Sequence, residues 1–391
     1  MRIKLTTIAA TSAAALLLAS CGSGDDGGGG SSRSLAGEGS GDDCVIEDAV
    51  PVNAALSLTG AAASYGESQQ KGLQLAQEEL DKKEGVTYDL TIEDDQTDPR
   101  QGITVFEQFV EDDGASVIIG PTLSNGAFQA QPIAQESGVP VLAISNTAAG
   151  ITEQGEYIFR DSLTEAQVIP QTVAKAKEVY GLEKVIVMYS NDDAFTESGY
   201  EVFKSSLEDE GVEIIDTLTF SKSDTDFRSL LTEAKGSNPD AIVVSGLIEA
   251  AIPLVTQARD LGIEVPIIGG NGFNNPQLMA DAGQAAEGVV VGAAWNSSSD
   301  NPENTAFLEA FEAKFDSKPD QFAAQAYTGL MLIDEAVRAG CSGDRDAIKD
   351  ALGDLESVPT VLGDLSINDD RDAEHPAVVQ VVQDGSFTVL E

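Results

Sequence analysis

Residues 115–145, ASVIIGPTLSNGAFQAQPIAQESGVPVLAIS, change their hydrophobic character twice in one stretch. ASVIIGP is an apolar run of strand length that stops at Gly120-Pro121. NGAFQAQPIAQESG has the spacing of a helix, and VPVLAIS is a second apolar run. A helix between two strands carries the chain back to the starting edge, so the second strand lies parallel to the first. That unit predicts an α/β fold, with helices covering both faces of a parallel sheet.

Reading outward, the unit repeats. Upstream, PVNAALSL reads as a strand. SQQKGLQLAQEELDKK reads as a helix with Leu73, Ala76 and Leu80 on one face, and YDLTIEDD as a strand. Asp98-Pro99 is an N-cap followed by proline at the first helical position, which opens a helix through Val110. The series restarts after Tyr157 with EKVIVMYS, EIIDTLTF, DAIVVSG, VPIIGGNG and GVVVGAAW as strands. Helices are expected around Val173, Val202, Leu230 and Val255. Two successive series of this kind predict two Rossmann-like lobes. Further helices are expected over Phe307–Phe315 and Tyr327–Ala339. A final β pair is expected from DLSINDD and AVVQVVQDGSFTVL, with Asp384-Gly385 as a hairpin turn.

The N-terminus is of another kind. Arg2 and Lys4 precede an apolar run from Ile8 to Ala19, too short to span a bilayer and typical of a signal-peptide core. Leu18-Ala19-Ser20-Cys21 matches the bacterial lipobox, in which cleavage precedes a cysteine that receives a diacylglycerol. Residues 1–20 are therefore expected to be a lipoprotein signal peptide, with Cys21 as the lipidated anchor. Residues 21–43 are rich in Gly, Ser and Asp and lack the apolar content of a core. As a free coil the 22 residues after Cys21 would span roughly 25 Å. No strand precedes these glycines and no GK[ST] follows, so they are not a phosphate-cradling loop.

The chain has 391 residues, with 22 basic and 66 acidic side chains and a formal charge of −44. Such acidity excludes nucleic acid and anionic lipid as electrostatic partners. The acids are spread along the whole chain, which reads as a solvated acidic surface. With Cys21 lipidated, Cys44 and Cys341 remain as a pair in an oxidising compartment, either bridged or as two buried thiols. A single histidine, His375, excludes a multi-histidine metal site, and no metal is expected. Asp94, Asp95 and Asp98 either form a cation site or solvate a strand end and cap a helix. No nucleophile elbow, HExxH or Walker motif appears, and GGNGFNN lacks dinucleotide spacing. No catalytic residue, cofactor or enzymatic activity is expected.

Several pieces, taken together, carry a resemblance: SLTGAAASYGESQQKGLQLAQEEL, DDQTDP, VIIGPTLSNGAFQAQPIAQESGVPVLAISNTAAGIT, YIFRDSLTEAQ, DFRSLL and AYTGLMLIDEA. In this order, from Val52 to the C-terminus, the chain resembles type I substrate-binding proteins of ABC transporters, specifically the leucine/isoleucine/valine-binding family. The resemblance implies two lobes joined by three crossovers, near Phe159, Trp295 and Gly363. The expected division is 44–158 plus 295–362 for the N-lobe and 159–294 plus 363–391 for the C-lobe. It also implies that the helix ending at Cys341 packs on the lobe that Cys44 opens.

For the cleft between the lobes, the resemblance implies Ser124 and Thr147 as hydroxyl contacts to a ligand carboxylate, with Ser145 giving a backbone contact. On their own, Ser124 and Thr147 read equally as helix and turn caps. It implies Tyr65 and Phe195 as aromatic walls from opposite lobes, where ordinary core packing is the other reading. At the family's usual ammonium-binding acid this chain has Asn271, so Glu165 or Asp193 would have to compensate. Without compensation the ligand would be an amide, a urea-like compound or a small carboxylate. The expected function is capture of a small polar solute, an amino acid of branched-chain type first, outside the cytoplasm for delivery to an ABC permease. A ligand-sensing receptor of the same fold is the alternative.

Overall fold

The computed structural model describes residues 34–391. The expected signal segment, Cys21 and the linker through Arg33 lie outside the described residues.

The first lobe is built as β1 (Val50–Leu56), α1 (Ala63–Leu80), β2 (Tyr88–Asp94), α2 (Pro99–Glu111), β3 (Val117–Ile119), α3 (Ser124–Glu136), β4 (Val141–Ala143) and β5 (Ile158–Arg160). The strands form one parallel sheet in the order β2-β1-β3-β4-β5. Every residue of β3 and β4 is buried, as strands covered on both faces must be. Asp98 caps α2 by accepting from the Arg100 N–H at 2.9 Å, with Pro99 at the first helical position.

The second lobe follows with α4 (Glu165–Tyr180), β6 (Lys184–Ser190), α5 (Ala194–Asp209), β7 (Glu213–Phe220), α6 (Arg228–Gly236), β8 (Ala241–Ser245), α7 (Ile248–Asp260), β9 (Ile267–Gly269), α8 (Gln277–Ala282) and β10 (Val289–Ala293). Thr164 and Gln167 start α4 with reciprocal side-chain to backbone hydrogen bonds, which fixes where the chain enters this lobe.

The chain then returns to the first lobe through α9 (Pro302–Phe315), α10 (Gln321–Gly340) and α11 (Arg345–Gly353). α10 buries most of its length against α1 and the first sheet. Gly72 makes this approach possible. A Cβ there would lie 2.2 Å from the Ala323 carbonyl oxygen, so any larger residue would push the two helices apart. A small sheet of β11 (Val358–Thr360), β12 (Gly363–Ile367) and β13 (Ala373–Glu374) comes next. β14 (Val378–Gln383) and β15 (Ser386–Val389) then complete the second sheet, in the order β15-β14-β10-β9-β8-β6-β7. β14 and β15 run antiparallel, whereas β6–β10 are parallel.

Three details differ from expectation. DLSINDD does not pair with the C-terminal stretch. It forms β12 between β11 and β13, and the hairpin lies wholly within β14–β15. Asp384 and Gly385 form its turn, both with positive φ, as a two-residue hairpin requires. The third passage between lobes accordingly falls after Glu374, not at Gly363, because Leu365, Ile367 and Ala373 are buried in the first lobe's core. Finally, Ser34–Asp43 is held on the body instead of continuing as free linker. The Leu35 N–H donates to Asp344 at 2.7 Å and the Gly37 N–H to the Cys341 carbonyl at 2.8 Å. Cys341 sits at the end of α10, disulfide-bonded to Cys44 with the Cα atoms 5.4 Å apart.

Candidate functional site

The strand ends of both sheets and the first turns of α1, α3, α5, α7 and α10 meet between the lobes. α3 begins directly after β3 and the Gly120-Pro121 turn, so the free N–H groups of Ser124, Asn125 and Gly126 face the junction. α5 begins in the same way after β6. Asp193 caps it, accepting from the Phe195 and Thr196 N–H groups at 3.1 and 3.2 Å. That cap places the Phe195 ring at the junction.

An inner pocket is lined by Tyr65, Ser124, Ser145, Phe195, Asn271 and Phe322, with Thr122, Leu123, Asp193, Leu247 and Gly272 completing the wall. It encloses about 20 Å³, room for one water. The Tyr65 ring fills much of it, packed 4.6 Å from the Phe322 ring. The Tyr65 hydroxyl donates to the Gly272 carbonyl at 2.6 Å and accepts from the Ile248 N–H at 2.8 Å. Burial pushes this phenol well above its ordinary value. Ser145 donates to the Thr122 carbonyl and accepts from Gln69, both at 2.7 Å. The Ser124 hydroxyl makes no hydrogen bond among the described residues and remains available to a solute.

Asn271 is held firmly. Its Oδ1 accepts from Gln321 Nε2 at 2.6 Å, while Gln321 Oε1 accepts from Asn274 and from the Ala294 N–H. The amide NH₂ of Asn271 is the group left for a solute, so this corner presents a donor.

Thr147 and Glu165 meet each other but do not line this pocket. The Thr147 hydroxyl donates to Glu165 at 2.8 Å, and the second Glu165 carboxylate oxygen is buried without a partner. Burial pushes the Glu165 carboxyl up to about 7. Asp193 does reach the pocket. Its carboxylate is engaged by Asn125 at 2.5 Å, and burial raises its pKa.

A larger cavity of about 370 Å³ adjoins the inner pocket and shares Leu123, Asp193 and Leu247 with it. Ser57, Asp95, Thr97, Asp98, Asn125 and Gly126 line it from the first lobe. Lys222, Asp224, Thr225 and Glu249 line it from the second. Of the three sequence-predicted acids, Asp98 caps α2, Asp95 accepts from Ser57 at 2.6 Å, and Asp94 accepts from the Leu58, Thr59 and Gln96 N–H groups. No three His, Cys, Asp or Glu side chains are grouped to hold a metal among the described residues.

The family model described as periplasmic binding protein matches residues 50–386. The chain belongs to that family. Leu/Ile/Val-binding protein BraC3 of Rhizobium johnstonii is 27% identical over 324 residues, covering 81% of this chain and 86% of the relative. The branched-chain amino acid transporter substrate binding protein LivJ of Streptococcus pneumoniae, solved with isoleucine, is 27% identical. It superposes with a TM-score of 0.83 over 87% of this chain and 98% of its own. A solute binding protein of an ABC transporter from R. palustris, solved with benzoate, is 25% identical with a TM-score of 0.81, covering 88% and 96%. The fold is thus that of type I periplasmic binding proteins, and these two structural neighbours were solved with quite different molecules.

For this periplasmic binding protein, the structure brings Tyr65, Ser124, Ser145, Phe195 and Asn271 together, and sets Thr147 and Glu165 behind the wall. Sequence reasoning missed Phe322, Gln321, Leu247 and Glu249. Asp320, which caps α10, marks a helix start in sequence. What places Phe322 against Tyr65 is the return of the chain to the first lobe, which no local pattern records.

Proposed function

We propose that this periplasmic binding protein captures a small polar solute between its lobes and delivers it to the permease of an ABC transporter, with lipidated Cys21 holding it outside the cytoplasm. The first solute class is an amino acid of the branched-chain type. The observation that carries the reading is the start of α3 in the inner pocket. There the free Ser124 hydroxyl, with the positive end of the helix behind it, forms a carboxylate seat between the Tyr65 and Phe195 rings. BraC3 and LivJ, by their names, support the amino-acid class.

Closing the lobes over a solute shifts an open–closed equilibrium, and the closed shape is what a permease would recognise. Native mass spectrometry of the purified mature chain tests capture. One small carboxylate or amino acid should be released per chain and should rebind in calorimetry. A chain that releases nothing and answers no amino acid or aromatic acid refutes it. Cys21→Ser should yield a soluble protein or an uncleaved precursor. Normal processing with retention at the membrane would refute the anchor.

One observation favours a second reading. Asn271 offers a donor where an ammonium would need an acceptor, so an amide, a urea-like compound or a small carboxylate also fits the inner pocket.

A further inference from the structure

The inner pocket is too small for an amino acid while Tyr65 bridges the lobes, yet the cavity beside it has the size of a small-molecule site. The two share Leu123, Asp193 and Leu247 in their walls. α3 borders both: Ser124 faces the inner pocket, and Asn125 and Gly126 face the outer cavity. A solute seated at the start of α3 therefore lies beside the outer cavity.

The outer cavity is unbalanced in charge. Five carboxyl groups line it, those of Asp95, Asp98, Asp193, Asp224 and Glu249, against the single ammonium of Lys222. Lys222 is 44% exposed and its Nζ lies 4.0 Å from the Asp193 carboxylate, so it compensates little. Asp95, Asp98 and Asp193 each accept hydrogen bonds from the protein. Glu249 differs: its Oε2 is buried and has no partner. A carboxylate withdrawn from water without a partner is costly, and a cation that pairs with it removes that cost. Burial, with Asp193 adding to it, pushes the Glu249 carboxyl up to about 7, as expected for an acid lacking its counter-charge.

We propose that the solute is elongated and extends from the start of α3 into the outer cavity, placing an organic cation against Glu249 and Asp193. This rests on the capture reading and replaces its branched-chain solute class with a cationic one. One end is a carboxylate or carbonyl, which suits the N–H groups of α3 and the Asn271 amide. The other is an ammonium or guanidinium several bonds away. ω-Amino acids have this form, and basic amino acids share its distant cationic end. An α-amino acid with an aliphatic side chain would leave the acidic compartment unmatched, and an aromatic acid with no cation would as well.

The test is calorimetry on the mature chain, stripped of bound solute, with lysine, 5-aminopentanoate, leucine and 4-hydroxybenzoate. Lysine or 5-aminopentanoate should bind about tenfold or more tighter than the other two. Glu249→Gln should weaken that binding about tenfold to hundredfold, the loss of a hydrogen bond to a charged group. Asp193→Asn keeps a capping oxygen for α5 and should weaken it in the same direction, with thermal melts confirming the fold. Tighter binding of leucine or 4-hydroxybenzoate overturns the inference and leaves capture standing, as does a Glu249→Gln chain that binds the cationic solutes unchanged. Silence towards all four solutes overturns the inference, and if nothing is released from the purified chain either, capture falls with it.

Discussion

The Tyr65 hydroxyl on the first lobe donates to the carbonyl of Gly272 on the second, at 2.6 Å. The same oxygen accepts from the Ile248 N–H, so one side chain satisfies two backbone groups of the opposite lobe. Tyr65→Phe keeps the ring against Phe322 and strands both groups. Each lost hydrogen bond contributes about 0.5–1.5 kcal/mol, so the closed form should lose about 1–3 kcal/mol relative to the open one. Small-angle scattering should show a larger radius of gyration, and amide exchange should rise at Ile248. An unchanged scattering curve and exchange pattern would mean that Tyr65 does not hold the lobes together.

Ser124 offers the clearest test of the carboxylate seat. Ser124→Ala removes a hydroxyl that no other described residue uses. Binding of a carboxylate solute should weaken about tenfold to hundredfold, as for a hydrogen bond to a charged group. The melting temperature should stay near that of the parent, because the residue opens a helix already started by Leu123. Equal affinities for parent and variant would remove Ser124 from the seat.

Asn271→Asp reads the opposite corner. Gln321 donates to the Asn271 oxygen and is itself fixed from two sides, so an aspartate would keep that bond. It would replace the solute-facing NH₂ with a carboxylate oxygen. The variant should therefore bind the natural solute more weakly, because a donor is lost and a charge is buried. Stronger binding in a direct titration would show that an ammonium sits at this corner after all.

The Cys44–Cys341 disulfide closes a loop of 297 residues in sequence separation, and both cysteines are buried. In the chain-entropy model a loop of that size contributes on the order of 5–6 kcal/mol. Reduction should also loosen Ser34–Asp43, whose Gly37 N–H is bonded to the Cys341 carbonyl. Denaturant melts with and without reductant should separate by a clear shift in midpoint. Superimposable melts would show that the bridge adds nothing.

The fold was legible wherever periodicity and capping act locally. The strand–helix–strand of residues 115–145 became β3, α3 and β4, and Asp98-Pro99 opened α2 as its chemistry requires. What could not be read depends on which lobe a returning segment joins. β12 has the composition of either sheet, and only the packing of Leu365 and Ile367 assigns it to the first lobe. The site divides in the same way. Ser124, Phe195 and Asn271 follow strand ends, and their position follows from the fold class. Phe322 and Glu249 reach the junction only when distant helices dock.

Glu165 carries the prediction with the most definite sign. Its carboxyl is fully buried at the start of α4, receives one hydrogen bond from Thr147 and leaves its other oxygen without a partner. Burial raises it to about 7, against the lowering effects of Thr147 and of the Arg160 charge. Unfolded, it returns to its ordinary value of 4.5. Between those two pH values the folded chain holds a proton that the unfolded chain has lost. Stability therefore falls as pH rises from about 4.5 to about 7, and the loss is complete above that range. The gap corresponds to about 3 kcal/mol at most. Glu165→Gln keeps an oxygen for the Thr147 hydroxyl and never ionises, so it should escape this loss. Its melting temperature relative to the parent should be higher at pH 8 than at pH 4.5. A difference between the two chains that is the same at both pH values would show that Glu165 is solvated, and that its environment is not the dry one at the head of α4.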